Sequence, residues 1–308
     1  MSAAVVVVGS LNADLTIYTQ RMPKPGETLV GTDFAVHPGG KSANQAVAAA
    51  KVGADVRMIG AVGNDAHGGL LLDSVGGAGV DVTPVLRLDG VPTGVAGITV
   101  DAQGENSIVI VPGANGELSS RHVQDAADVF EGAAVVCLCL EVDQATVEAA
   151  ALAGRAAGAT VVLNLSPSAP LSDALRGAVD VLLINAHEAG DLLGRTVDPA
   201  VADWAQVGAE LAELGFGRVI VTLGADGSVV LEAGESTPVT RIEPTTVTAV
   251  DTTGSGDAFT GTLAARLARG DALADAARYA SVAAALAATR HGAQPSYADA
   301  AEVESRLR

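Results

Sequence analysis

The chain has 308 residues, 49% hydrophobic and 3% aromatic, with 36 acidic against 18 basic side chains and a formal net charge of −18. At ~100–200 residues per domain this is one large domain or two modest ones with ample apolar content for a core, which excludes a disordered chain. Scarce aromatics exclude a base-stacking single-strand platform, and the acidic balance excludes a general phosphate-backbone binder, so any anion is held locally by loop amides, helix starts, a few Arg side chains or a metal.

The start, from Met1 to Gly9, has no basic n-region and only a short apolar run, so no leader is expected. No apolar stretch reaches the ~20 residues of a membrane span. Val5–Val8 reads as a buried strand. In the following Gly9-Ser10-Leu11-Asn12-Ala13-Asp14, Asn12 and Asp14 either hydrogen-bond a polyol or close an Asx turn. Thr28–Val36 and Thr93–Val111 carry short-strand and turn signals without helices, as expected of a small separate sheet contributed by about 15–38 and 92–112. Pro38-Gly39-Gly40-Lys41-Ser42-Ala43-Asn44-Gln45 is a glycine turn into a helix, Ser42–Val52. It either brings Lys41 and Asn44 up to ligand hydroxyls or is an ordinary capped turn. Val56–Val62 reads as a strand, and the Gly-dense run 76–79 as a helix stop.

Val135–Leu140, Thr160–Asn164, Val181–Ile184 and Val219–Leu223 read as further strands, with helices near Val142–Ala157, Ala186–Leu193 and Val201–Leu214. Cys137 and Cys139, the only cysteines, fall on the first of these strands and read as buried small hydrophobes of a reduced, cytoplasmic protein. Glu141 follows that strand, placed like Asn12 and Asp14. Asn185-Ala186-His187-Glu188 has the pattern of a capping box, and the same pair could organise metal-bound water near phosphates. Thr222–Gly227 is a strand-to-turn segment suited to a nucleotide rim. Val229–Arg241 suggests an edge hairpin, and the chain from Gly254 on is mainly helical. This alternation predicts an α/β fold: a mostly parallel sheet covered by helices on both faces.

Two familiar phosphate signatures fail. Gly40-Lys41-Ser42 ends like a P-loop, but Ala35 stands where that pattern needs glycine. Gly254-Ser255-Gly256 begins like a dinucleotide turn, but Phe259 holds the third glycine position. The informative segment is Val250-Asp251-Thr252-Thr253-Gly254-Ser255-Gly256-Asp257-Ala258-Phe259. Two glycines let successive N–H groups converge ahead of an Ala-rich helix, making an anion cradle. Asp257 beside it either accepts a proton from an attacking hydroxyl or is an acid favoured by the helix dipole.

Taken in order, Gly9–Asp14, Met22–Thr28, Gly39–Val47, Gly113–Asn115, Asn164–Pro167, Asn185–Glu188, Thr222–Gly227, Asp251–Phe259 and Thr289–Ser296 resemble the ribokinase-like carbohydrate kinase family over essentially the whole chain. The resemblance implies one three-layer α/β/α domain with a small β lid that often pairs two subunits into a homodimer. It implies ATP, Mg²⁺ and phosphoryl transfer to a sugar, foremost the 5-hydroxyl of D-ribose; another sugar or a nucleoside is the alternative, a non-catalytic sugar sensor a third. By the same resemblance Asn12, Asp14, Gly40, Lys41, Asn44 and Glu141 hold the sugar and Asp257 is the general base. The amides of Gly254, Ser255 and Gly256 stabilise the transferring group. Asn185 and Glu188 lie near phosphates and metal, while Thr222, Gly224, Gly227 and Ser281 border the nucleotide. A monovalent cation, usually K⁺, would sit on Asp251, Thr253, Ala287, Arg290, Gly292 and Ser296. The chain departs from the family's frequent Ala-Ala-Gly-Asp-Thr cradle with Gly-Ser-Gly-Asp-Ala.

Overall fold

Alternate residues of one short strand face two different cores: Val5 and Val7 pack on one side, Val6 and Val8 on the other. All four are fully buried, which is why the segment reads as an unbroken apolar run. The structure is a computed structural model that describes residues 4–236 and 238–307. Met1–Ala3, part of the stretch searched for a leader, Thr237 within the expected hairpin, and Arg308 lie outside the described residues.

In chain order the elements are β1 (Ala4–Val8), β2 (Asn12–Tyr18), β3 (Asp33–Gly39), α1 (Lys41–Lys51), β4 (Val56–Gly63), α2 (Ala66–Gly77), β5 (Val85–Leu88), β6 (Gly94–Val100), β7 (Asn106–Val111), α3 (Ser120–Asp125), β8 (Ala133–Leu138) and α4 (Gln144–Ala156). There follow β9 (Thr160–Asn164), α5 (Asp173–Ala178), β10 (Val181–Asn185), α6 (Ala186–Leu193), α7 (Trp204–Glu213), β11 (Arg218–Thr222), β12 (Ser228–Glu232), β13 (Val239–Ile242), α8 (Ser255–Ala268), α9 (Leu273–Ala287) and α10 (Ala300–Arg306). The main sheet runs β13-β12-β11-β10-β9-β8-β1-β4-β5. It is parallel except for the antiparallel edge hairpin of β12 and β13. Helices α1, α2, α8, α9 and α10 supply one core, through residues such as Val47, Leu71, Phe259, Ala280 and Val303. Helices α3 to α7 supply the other, through Val123, Val147, Leu175, Ala189 and Leu211. The architecture is the expected three-layer α/β/α.

A second sheet of order β3-β2-β6-β7 stands apart. Its face is only partly covered: Phe34 is 58% exposed and Val109 66%.

The boundaries differ where side-chain chemistry intervenes. Residues 28–31 pair with no strand, and β3 starts at Asp33. Asn12 and Asp14 do not close an Asx turn, because they already belong to β2. The helix expected from Val201 starts at Trp204, because Asp203 caps it by accepting from the N–H groups of Ala205 and Gln206. Strand β8 stops at Leu138, one residue short of Cys139. Both cysteines remain buried and free.

Candidate active site

Strand β1 pairs in parallel with β4 on one side and β8 on the other. Chain connections diverge there, and the crevice beyond the carboxyl ends of such strands is where α/β sheets bind ligands. The loops after β1 and β8 meet at Glu141: the Ser10 hydroxyl donates to Glu141 Oε2 at 2.6 Å and the Lys41 N–H donates to the same oxygen at 3.0 Å. The start of α1 presses on β2. Gly40 has φ +90°, and a Cβ there would lie 2.7 Å from the Asn12 nitrogen. A Cβ on Gly39 would lie 2.2 Å from Asp14 Oδ2. These glycines therefore bring Asn12, Asp14, Lys41 and Glu141 to one place, and α1 opens without a side-chain cap.

The group is acidic around one lysine. Burial, with the charges of Glu141 and Asp257, pushes Asp14 up to about 7. Burial works against the Lys41 charge, but the carboxylates of Asp257, Glu141 and Glu188 outweigh it and its ammonium is held above the ordinary range.

Helix α8 begins at this crevice. Its cap, Gly254, has φ +73°, and a Cβ there would lie 2.6 Å from the Ala293 Cβ and 2.7 Å from the Tyr297 Oη. The Tyr297 hydroxyl donates to the Gly254 carbonyl at 3.1 Å. A helix start leaves its first N–H groups without intrahelical acceptors. The expected cradle of Gly254, Ser255 and Gly256 is corrected in one respect: the Ser255 N–H donates to the Thr252 carbonyl at 3.1 Å. The N–H groups of Gly254, Gly256 and Asp257 remain for a ligand, and the space beside Gly256 is open. The Ser255 hydroxyl is buried without a partner.

Asp257, in the first turn of α8, is 7% exposed. Burial raises its carboxyl and Glu141 adds to this, while Lys41, Asn44 and Gln45 oppose it. Asn44 Nδ2 donates to Asp257 Oδ2 and Gln45 Nε2 to Asp257 Oδ1, each at 3.0 Å. The base candidate therefore touches α1 through Asn44 and Gln45 and stands in the first turn of α8, beside the expected anion cradle.

One cleft brings together Lys41, Asn185, Glu188, Thr222, Gly254, Gly256 and Asp257. Asn185 and Glu188 also form the capping box of α6: the Asn185 N–H donates to Glu188 Oε2 at 2.7 Å, and the Glu188 N–H to Asn185 Oδ1 at 2.9 Å. The structural reading of this pair is met, and the same residues face the cleft. Burial raises the Glu188 carboxyl. Gly224 and Gly227 make the turn after β11 outside this lining; a Cβ on Gly227 would lie 2.2 Å from the Ile242 carbonyl oxygen. Ser281 is half-buried on α9 and is not brought into the cleft lining.

The candidate cation residues converge in part. Asp251 accepts from the Thr253 and Gly292 N–H groups, both at 2.9 Å, and its own N–H donates to the Ala288 carbonyl. The Ser296 hydroxyl donates to the Ala293 carbonyl, and Arg290 turns its guanidinium to Glu302 at 2.5 Å. Among the described residues no cluster of three or more His, Cys, Asp or Glu suits a transition metal. Carbonyls beside a single carboxylate are hard oxygen donors and fit an alkali cation.

Several residues of the site escaped sequence reasoning. Asn115 clasps the loop after β1, accepting from the Leu11 N–H at 2.9 Å and donating to Asn12 Oδ1 at 2.8 Å. Ser10, Gln45, Gln294 and Tyr297 also bear on the site. Each lies within or next to a segment that carries the resemblance, which was the only available signal. Asn164, at the end of β9, and Ser166, in the loop after it, line the cleft.

The profile of the pfkB family carbohydrate kinase matches residues 2–300. A ribokinase of Haemophilus influenzae is 37% identical over 297 residues, covering 96% of this chain and 95% of the relative. A deoxyribokinase of Salmonella typhi is 35% identical over 295 residues, covering 95% of each. Among solved structures, Arabidopsis thaliana ribokinase complexed with ribose and ATP superposes with a TM-score of 0.93 at 33% identity, covering 100% of this chain and 99% of that one.

Proposed function

We propose that this chain, which belongs to the pfkB family of carbohydrate kinases, transfers the γ-phosphoryl group of ATP to the 5-hydroxyl of D-ribose, giving ribose 5-phosphate and ADP. The observation that carries this reading is the buried Asp257 carboxylate set between the Lys41–Asn44 turn and the open amides of α8. Asn12, Asp14, Gly40, Lys41, Asn44 and Glu141 hold the sugar. Asp257 accepts the proton of the attacking hydroxyl as the new O–P bond forms and the bond to the ADP oxygen breaks. The N–H groups of Gly254, Gly256 and Asp257 face the charge on the moving phosphoryl group. Lys41 adds a full positive charge. Positioning supplies most of the rate, since little covalent chemistry falls to the protein.

ATP enters with Mg²⁺ as its substrate complex. Asn185 and Glu188 lie toward the phosphates and metal; Thr222, Gly224, Gly227 and Ser281 border the nucleoside. A K⁺ ion, when bound, would neutralise and order the oxygen-rich loop. Asp251, Thr253, Ala287, Arg290, Gly292 and Ser296 would hold it, Arg290 through its carbonyl because its guanidinium serves Glu302. The exposed apolar residues Ile108 and Ile110, which share one face of the lid strand β7, support a homodimer in which a second copy covers them. Two free cysteines support a reducing, cytoplasmic setting. Among the described residues no helix is long and apolar enough to cross a membrane.

ADP release measured with ribose, 2-deoxyribose, fructose and adenosine tests the reading. It requires turnover with ribose to exceed the others. Faster turnover with deoxyribose would favour the second reading, which the Salmonella relative supports. Sugar binding without ADP release would favour a sensor.

A further inference from the structure

We infer that Gln45 and Gln294 are positioning residues for Asp257, Gln45 by donating to one carboxylate oxygen and Gln294 by orienting Asn44, which donates to the other. This rests on the reading of Asp257 as the general base. An amide side chain presents an oxygen or an NH₂ group to its neighbour, and only the NH₂ group suits a carboxylate. Each amide here is locked by a donor on its oxygen. The Cys137 thiol donates to Gln45 Oε1 at 3.4 Å, leaving Gln45 Nε2 for Asp257 Oδ1 at 3.0 Å. Gln294 Nε2 donates to Asn44 Oδ1 at 3.1 Å, leaving Asn44 Nδ2 for Asp257 Oδ2 at 3.0 Å. Gln294 is itself fixed, because the Ser74 hydroxyl donates to its Oε1 at 2.8 Å. Gln45 is fully buried and Gln294 is 4% exposed, so neither lies open to a ligand.

The charged and titratable groups around Asp257 make these amides necessary. Asp14 on β2 and Glu141 after β8 disfavour a further negative charge, and the buried Tyr297 hydroxyl stays protonated and neutral beside them. The thiols of Cys137 and Cys139 stay protonated, since burial raises both. Lys41 alone brings opposite charge. Hydrogen bonds to the ionised form hold a carboxylate in that form. Removing either donor makes Asp257 take up its proton at higher pH, where it can no longer act as base.

The test is the pH profile of ADP release from ribose and ATP, between about pH 5 and about pH 9, for the full-length protein and for Gln45→Leu, Gln294→Leu and Asp257→Asn. Gln45→Leu is expected to raise the acid limb of kcat by about one pH unit and to lower kcat at the acid end about tenfold, with ribose KM within about threefold. Gln294→Leu is expected to move the limb the same way by less and to raise ribose KM, because Asn44 is freed to turn. Equal losses at every pH, or a lowered melting temperature with the limb unmoved, overturn the inference. Should Gln45→Leu fail to fold, the limb of Gln294→Leu decides. Wild-type turnover in Asp257→Asn overturns the base assignment and the inference with it. An inactive Asp257→Asn beside two Gln variants with unmoved limbs overturns the inference alone.

Discussion

Gly261 of α8 touches the backbone of Gln45 on α1: a Cβ on Gly261 would stand 2.0 Å from the Gln45 carbonyl oxygen and 2.9 Å from the Ala48 Cβ. The two helices approach this closely because no side chain separates them. One turn earlier on α8, Asp257 therefore reaches the amides of Asn44 and Gln45.

Gly261→Ala should force the helices apart. The expected loss is about 1–3 kcal/mol of stability, read as a lower denaturation midpoint, together with a fall in kcat as Asp257 leaves its amides. Wild-type stability and turnover in this variant would contradict the packing argument.

Asp14 ties stability to pH. Its folded value of about 7 lies above its ordinary value of 3.8. Between these limits the folded chain holds a proton that the unfolded chain has released, so this group's contribution to stability falls as pH rises through the window. Asp14→Asn should raise the melting temperature at about pH 8 and leave it unchanged at or below about pH 4. Sugar affinity should fall about 10–100-fold. An equal temperature shift at both pH values would contradict this assignment. Asp257 and Glu188 shift in the same direction, so Asp14→Asn removes only part of the slope.

The loop around Asp251 should respond to cations. Activity in K⁺ should exceed activity in tetramethylammonium, and Asp251→Ala should remove the difference. Equal rates of the wild-type protein in both salts would count against a cation on these carbonyls.

The lid should govern assembly. Ile110, 50% exposed on β7, should tolerate lysine in a monomer but not in a covered face. Light scattering is expected to find a dimer for the wild type and a smaller species for Ile110→Lys. A monomeric wild type would refute the paired lid.

Much of this architecture was legible because local and global signals agreed. Thr160–Asn164 is a buried β-branched run between turns, and Ala186–Leu193 opens on a capping box; both match the structure at each end. Helix α2 showed only its glycine stop. Gly68 and Gly69 dilute its helical pattern, and Gly68 is required there because a Cβ would lie 2.2 Å from the Gly63 carbonyl oxygen. At the site, Lys41, Asn44 and Asp257 stood out beside glycine turns that open helices. Gln45 and Gln294 did not: a buried amide has no local signature, and the Gln294–Asn44 bond spans 250 residues. Ser281, half-buried on α9, Gly224 and Gly227 rest on the resemblance alone, because all three lie outside the lining of the cleft.

The most direct measurement is phosphorus NMR of the product made from ribose and ATP. The geometry around Asp257 calls for one phosphomonoester on the primary oxygen of ribose, formed mole for mole with ADP and missing when Asp257→Asn replaces the wild type. Phosphate on a different oxygen, or an undiminished yield from Asp257→Asn, would contradict it.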